Sequence, residues 1–218
     1  MDTKDVVGQT TVPALYKETV ENLQCSTADI ERIASDSLTA RMVALIKLAI
    51  ALAIPNREMA VDALRQAKAV ASEDDIAEML FVVCALKSGP ATAYGRLIFK
   101  FLDPSSEAND EIDERTQIQR DRALMTPFMS ASPEAFAAFQ RRASALKRKA
   151  LSDKEYELIS IACASITHCV YCLEGHGSNA RKAGVTDREV ADTLHLAISA
   201  RTTATLQEWK GISASVLT

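Results

Sequence analysis

The chain has 218 residues, 48% of them hydrophobic and 25% charged, with a formal net charge of −4. This describes a soluble globular protein with one sizeable core, or two smaller halves sharing one. The acidic balance offers no basic surface to nucleic acid or an anionic membrane. An odd count of five cysteines, with no secretory pattern ahead of them, argues against an extracellular disulfide framework and for a reducing, cytoplasmic setting.

From the N-terminus, Ser26 is placed to cap a short helix through "IERIA". The stretch from Leu38 to Ala53 reads as a strongly apolar helix, interrupted by Lys47 and broken at Pro55-Asn56. It is too short to span a bilayer comfortably and reads as a core helix. "REMAVDALRQAKAVA" resumes the helical period, and Ser72 with Asp75 opens the next helix as a short capping box. Ser88-Gly89-Pro90 reads as its stop, with a separate helix "ATAYGRLIFKFL" behind it. "DPSSEANDEIDE" is polar, acidic and free of aromatics, the composition of a linker. Pro133 follows Ser132 at a first helical turn, and the basic cluster Arg141, Arg142, Lys147, Arg148, Lys149 reads as a solvated face near that helix's end. Two capping boxes, Ser152 with Glu155 and Thr186 with Glu189, open two further helices, and the last runs to about Trp209. Between them a helix begins near Cys169 and stops at Gly184.

The prediction is an all-α fold. Two stretches, one starting at Leu45 and one at Leu158, both read helix, break, helix, capped turn, helix. This suggests a duplicated unit, with Arg57, Ala60 and Leu64 near where the second copy has Cys169, Cys172 and His176. The expected division is an N-terminal helical extension over 1–37, a degenerate repeat over 38–103, a linker over 104–126 and a chemically equipped repeat over 127–218.

The chemistry concentrates in "HCVYCLEGHG", residues 168–177. On a helix, Cys169, Cys172 and His176 fall within about 60° of arc. Cys169 then stands at the helix N-terminus, where unpaired N–H groups favour a thiolate. Glu157, one helix earlier, is a lone carboxylate on a mostly apolar face, costly unless paired. His176 is its partner if the two helices pack antiparallel, which would make a relay from Glu157 through His176 to Cys172. Other readings stay open at this point. Zinc could use Cys169, Cys172 and His176, with Glu157, His168 or His195 as fourth ligand. Haem attachment requires a histidine where Leu173 stands. Buried inert thiols are common, and Cys25, Cys84 and Cys163 read that way. His195 reads as a satisfied core histidine.

The order Glu157, eleven residues, Cys169-Val170-Tyr171-Cys172, three residues, His176 resembles the signature of alkylhydroperoxidase AhpD-like proteins of the carboxymuconolactone decarboxylase superfamily. The resemblance covers roughly residues 127–210 and implies a two-lobed helical fold whose C-terminal half carries the site. It implies a thiol peroxidase or dithiol oxidoreductase in antioxidant defence: Cys172 peroxidatic, Cys169 resolving, His176 the proton acceptor and Glu157 its orienter. It further implies a hydroperoxide substrate, an external dithiol reductant, no metal, haem or flavin, and a homo-oligomer, trimeric or hexameric. Tyr171 stands where the best-known peroxidases of the family have a second histidine, which shortens the relay; Tyr171 and His168 are secondary candidates. The decarboxylase branch, a lyase acting on a small carboxylic acid, is the weaker match, because no arginine cluster surrounds the motif. A zinc-stabilised non-enzymatic module is the other alternative.

Overall fold

The most apolar stretch of the chain forms the centre of the molecule. The computed structural model describes residues 17–97, 102, 114–144 and 149–216, and among them holds ten helices and no strand. Helix α1 spans Lys17–Ala34, α2 Ala40–Ala53, α3 Arg57–Lys68 and α4 Glu73–Gly95. They are followed by α5 Glu114–Ala123, α6 Met125–Ala131, α7 Pro133–Ser144, α8 Asp153–Ile166, α9 Val170–Lys182 and α10 Asp187–Val216. The all-helical class expected from the sequence is the one found.

Helix α2 is apolar on nearly every side, so it must be covered all round. Leu45, Ile46, Ala49 and Ile50 are fully buried. Helix α8 is its counterpart, with Ile159, Ala162, Cys163 and Ala164 fully buried. The two pack on each other, α4 and α10 each pack on both, and α1 lies along α10. Helix α4 is long and apolar enough by composition to cross a membrane. Two of its acids are nonetheless used inside the fold: Asp75 pairs with Arg41, and Glu78 accepts the backbone N–H groups of Lys149, Ala150 and Leu151.

The two halves share a register. Helix α8 starts 113 residues after α2, and α9 starts 113 residues after α3. Caps and ion pairs follow it, with one extra residue before α10, which starts 114 residues after α4. The Asn56 side chain accepts the Met59 N–H at the head of α3, as the Cys169 sulfur accepts the Cys172 N–H at the head of α9. Arg41 of α2 pairs with Asp75 at the head of α4, and Lys154 of α8 pairs with Glu189 at the head of α10. The counterparts of Cys169, Cys172 and His176 are therefore Asn56, Met59 and Ala63, one residue from the sequence-based alignment on Arg57, Ala60 and Leu64. The caps decide this, because a cap marks a fixed place on a helix whereas apolar periodicity tolerates a slip of one.

Several local expectations are corrected. Ser26 does not begin a helix but lies within α1. Ser88-Gly89-Pro90 does not stop α4, which continues to Gly95 with Pro90 inside it. Proline removes its own backbone bond and crowds the carbonyl four residues back, but Leu86 and Ala93 stay buried on either side, and the Ser88 hydroxyl donates to the Cys84 and Ala85 carbonyls. The segment expected to be a linker over 104–126 contains α5 and the start of α6, and Ile118 and Asp121 of α5 are buried. The acidic part before Glu114 and Lys147–Arg148 of the basic cluster lie outside the described residues. Helix α10 runs past Trp209 to Val216. Cys25 and Cys84 are exposed rather than buried; Cys163 is buried, and burial pushes its thiol up to about 12.

Arg41 holds the two halves together. It donates to Asp75, the capping acid of α4, and to Glu155, the capping acid of α8. The Arg41 hydrogen bonds hold Asp75 well below the usual carboxylate range. Burial pushes Glu155 up, but its bonds from Ser152 and Arg41 bring it below its ordinary value. Carboxylates depressed in the fold stabilise it above their unfolded pKa, near 4, and that stabilisation fades as pH falls through the folded values. Arg41→Met is therefore expected to lower stability by about 2 kcal/mol at pH 7. The gap from wild type should narrow as pH falls below about 4, as read by urea unfolding at both pH values.

Candidate active site

The site is built on the reversal between α8 and α9. The Cys169 N–H reaches back to the Ala164 carbonyl at 3.0 Å, and His168 takes the left-handed conformation, φ 52°. This is a helix-ending turn of the kind usually closed by glycine, as Gly184, φ 76°, closes α9. His168 is exposed, and its carbonyl accepts from the Tyr94 hydroxyl at 3.2 Å. It serves the turn and does not join His176.

The turn delivers Cys169 as the N-cap of α9. Its sulfur accepts the Cys172 N–H at 3.3 Å and is bonded to the Cys172 sulfur across a Cα–Cα distance of 5.2 Å. Cys169 is fully buried, whereas Cys172 is part-exposed. One turn further on, His176 Nδ1 lies 2.7 Å from Glu157 Oε2, and Glu157 is 6% exposed. The carboxylate that the sequence left unpaired thus meets the imidazole across the two packed helices. Where the carboxylate is ionised it accepts only, so Nδ1 then donates and the Nε2 lone pair is left free of this contact. The Tyr156 ring sits 6.1 Å from the imidazole, tilted against it.

Other site residues come from outside the C-terminal half. Helix α4 passes so close to the disulfide that a Cβ at Gly89 would lie 3.5 Å from the Cys172 sulfur. The Tyr171 hydroxyl donates to Asp121 Oδ2 of α5 at 2.7 Å, and Asp121 Oδ1 accepts from Gln117 at 2.7 Å. Tyr94 meets the Tyr171 ring edge-on at 5.3 Å, and the Arg96 guanidinium lies over that ring at 4.9 Å. Arg122 of α5 pairs with Glu174 of α9. Two arginines therefore flank the motif where the sequence suggested none, because both are far away in the chain. Burial and the Asp121 hydrogen bond push the Tyr171 phenol up to about 12, so Tyr171 stays protonated and committed to Asp121.

His195 is satisfied, its Nδ1 2.8 Å from the Ala191 carbonyl, but it sits at the surface rather than in the core. Among the described residues no three His, Cys, Asp or Glu side chains converge as metal ligands. In the N-terminal half, the counterparts Met59 and Ala63 line a cavity of about 190 Å³ walled by Lys47, Glu31 and Gln66. No signal in "QRDRA" marked Asp121, and "KSGPA" concealed Gly89 by looking like a helix stop.

Residues 133–209 match the Carboxymuconolactone decarboxylase family. The resemblance drawn from Glu157, Cys169, Cys172 and His176 is to that superfamily, and this segment carries it. A Paracoccus denitrificans protein known as uncharacterized protein 4 in the cox locus is 35% identical over 52 residues, 24% of this chain and 47% of its own length. The match thus spans about half of that relative. A crystal structure of a Burkholderia xenovorans protein, provisionally assigned as a gamma-carboxymuconolactone decarboxylase subunit, superposes with a TM-score of 0.71 at 17% identity. The superposition covers 97% of this chain and 93% of that one, and it shows the fold.

Tyr171→Phe leaves Asp121 buried with one oxygen unused, and is expected to lower stability by about 1–2 kcal/mol in urea unfolding. Asp121→Asn, whose amide oxygen still accepts from the phenol, should lose less. It should also bring Tyr171 ionisation down toward about 10, read by ultraviolet titration.

Proposed function

We propose that the protein is a dithiol oxidoreductase that reduces hydroperoxides through Cys172 and Cys169. The observation that carries this reading is the placement of the Cys169–Cys172 pair one turn from the His176–Glu157 couple, with only Cys172 open to a reagent. In the reduced protein, His176 Nε2 takes the Cys172 proton and Glu157 steadies the imidazolium. The thiolate attacks the peroxide. The O–O bond breaks, an S–O bond forms, and the departing alkoxide takes the proton from His176 and leaves as an alcohol. The Cys169 sulfur then displaces hydroxide from the Cys172 sulfenic acid, water leaves, and the disulfide forms. An external dithiol restores both thiols by exchange and becomes a disulfide itself.

A second reading is a non-redox lyase acting on a small carboxylic acid, with His176 and Glu157 as its acid–base pair. The two arginines beside Tyr171 and Glu174, and the assignment of the Burkholderia protein, favour it. The exposed apolar side chains Ile198, Trp209 and Ile212 along α10 support a homo-oligomer as the working form, and the free Cys25 and Cys84 support a reducing, cytoplasmic location.

Thiol counting tests the redox reading. One equivalent of tert-butyl hydroperoxide should remove two thiols from the reduced protein, and peptide mapping should find Cys169 joined to Cys172. Cys172→Ser should abolish the reaction, and Glu157→Gln should slow it by about 10²-fold, the usual scale of a positioned acid–base group. Full turnover in both Cys172→Ser and Cys169→Ser would make the thiols bystanders and turn the assignment to the lyase.

A further inference from the structure

The Arg96 side chain has a property that nothing in the reaction above uses. It is 6% exposed, and its Nε and Nη2 have no hydrogen-bond partner among the described residues. These two nitrogens form one edge of the guanidinium, the planar fork that matches both oxygens of a carboxylate. A buried charge left without partners is costly, and the nearby acid does not fill the fork. Asp121 accepts instead from Gln117 and Tyr171, and no hydrogen bond joins it to these two nitrogens.

The fork also lies on the side of the disulfide. Arg96, the C-cap of α4, keeps helical backbone angles and follows Gly89 by seven residues, two helical turns, so it continues the face of α4 that meets Cys172. Helical side chains lean toward the N-terminus, which carries the guanidinium back toward the Tyr171 ring, 4.9 Å away and next in sequence to Cys172.

We propose that Arg96 is a specificity-determining residue whose unpaired edge takes the carboxylate of the substrate, so that the preferred oxidants are small hydroperoxides bearing a carboxylate. This rests on the peroxide-reducing function proposed above. The Tyr171 ring lies over the guanidinium at 4.9 Å and keeps its bond to Asp121. The carboxylate then docks two-pronged on Arg96 while the hydroperoxide end reaches the Cys172 thiolate. The bond changes are those already given, and the carboxylate itself is unchanged.

The test separates binding from turnover. Calorimetry on the full chain compares 4-methylpentanoate with 4-methylpentanamide, which differ in charge and not in shape. The acid is expected to bind at least about tenfold more tightly to the wild type. Arg96→Met should erase that difference. Arg96→Lys keeps the charge and loses the fork, and should lose most of it, which also covers the case in which the methionine variant does not fold. Equal binding of acid and amide to the wild type, or a preference that survives in Arg96→Lys, overturns the proposal. In parallel, thiol loss in the reduced protein is followed with 4-hydroperoxy-4-methylpentanoate and its methyl ester. The acid should react at least about tenfold faster in kcat/KM, and the ratio should collapse in Arg96→Lys. If neither peroxide consumes thiols while the binding preference holds, the peroxide-reducing function fails and the carboxylate site stands. If both react equally, the function stands and the role of Arg96 fails.

Discussion

Everything at the site hangs on the three-residue reversal from Thr167 to Cys169. The left-handed backbone of His168 lets the Cys169 N–H close onto the Ala164 carbonyl. That closure ends α8 and starts α9 in one step, with Cys169 as the cap. The cap fixes the rotation of α9 about its own axis, and hence the direction in which Cys172 and His176 point. The same short turn forces the two helices into antiparallel contact, which brings Glu157 under His176. A longer loop would leave all four side chains present and their mutual geometry unspecified.

The part of the site that lies within one hairpin was legible in the sequence. Spacings of three and four residues translate directly into shared helix faces, so Cys169, Cys172 and His176 could be grouped before any fold was known. Glu157 was legible for another reason: an isolated carboxylate on an apolar helix demands a partner. Asp121, Tyr94, Arg96 and Gly89 lie 50 or more residues away in chain order from what they touch, and nothing local distinguishes them. Tertiary packing also overrode local punctuation at Pro90, where burial on both sides holds a helix through a residue that usually ends one. Segment 104–126 misled in the opposite sense, since a polar composition hid a short polar helix whose buried members include Ile118 and Asp121.

The environment of Tyr171 shows how burial and hydrogen bonding divide the labour at this site. The phenol occupies the place next to Cys172, yet its proton is directed away from the sulfur and toward Asp121. In the proposed reaction, proton traffic at the thiol is left to His176. Tyr171 becomes a wall instead, flanked by Tyr94 and the Arg96 guanidinium. The C-terminal half supplies Cys169, Cys172, His176 and Glu157, and elements before residue 127 supply Gly89, Tyr94, Arg96 and Asp121 around them.

The shared register of the two halves has a practical meaning. Asn56, Met59 and Ala63 occupy the seats that Cys169, Cys172 and His176 hold on the other side, and Ala44 stands 113 residues before Glu157 on the matching helix. The supporting ion pairs, Arg41 with Asp75 and Lys154 with Glu189, are retained on both sides. The protein therefore carries its own blank: a second copy of the framework, in the same molecule and solvent, with the chemistry left out. Transplanting the four reactive side chains into those seats would measure how much of the reactivity belongs to the framework and how much to the neighbours that only the C-terminal side has.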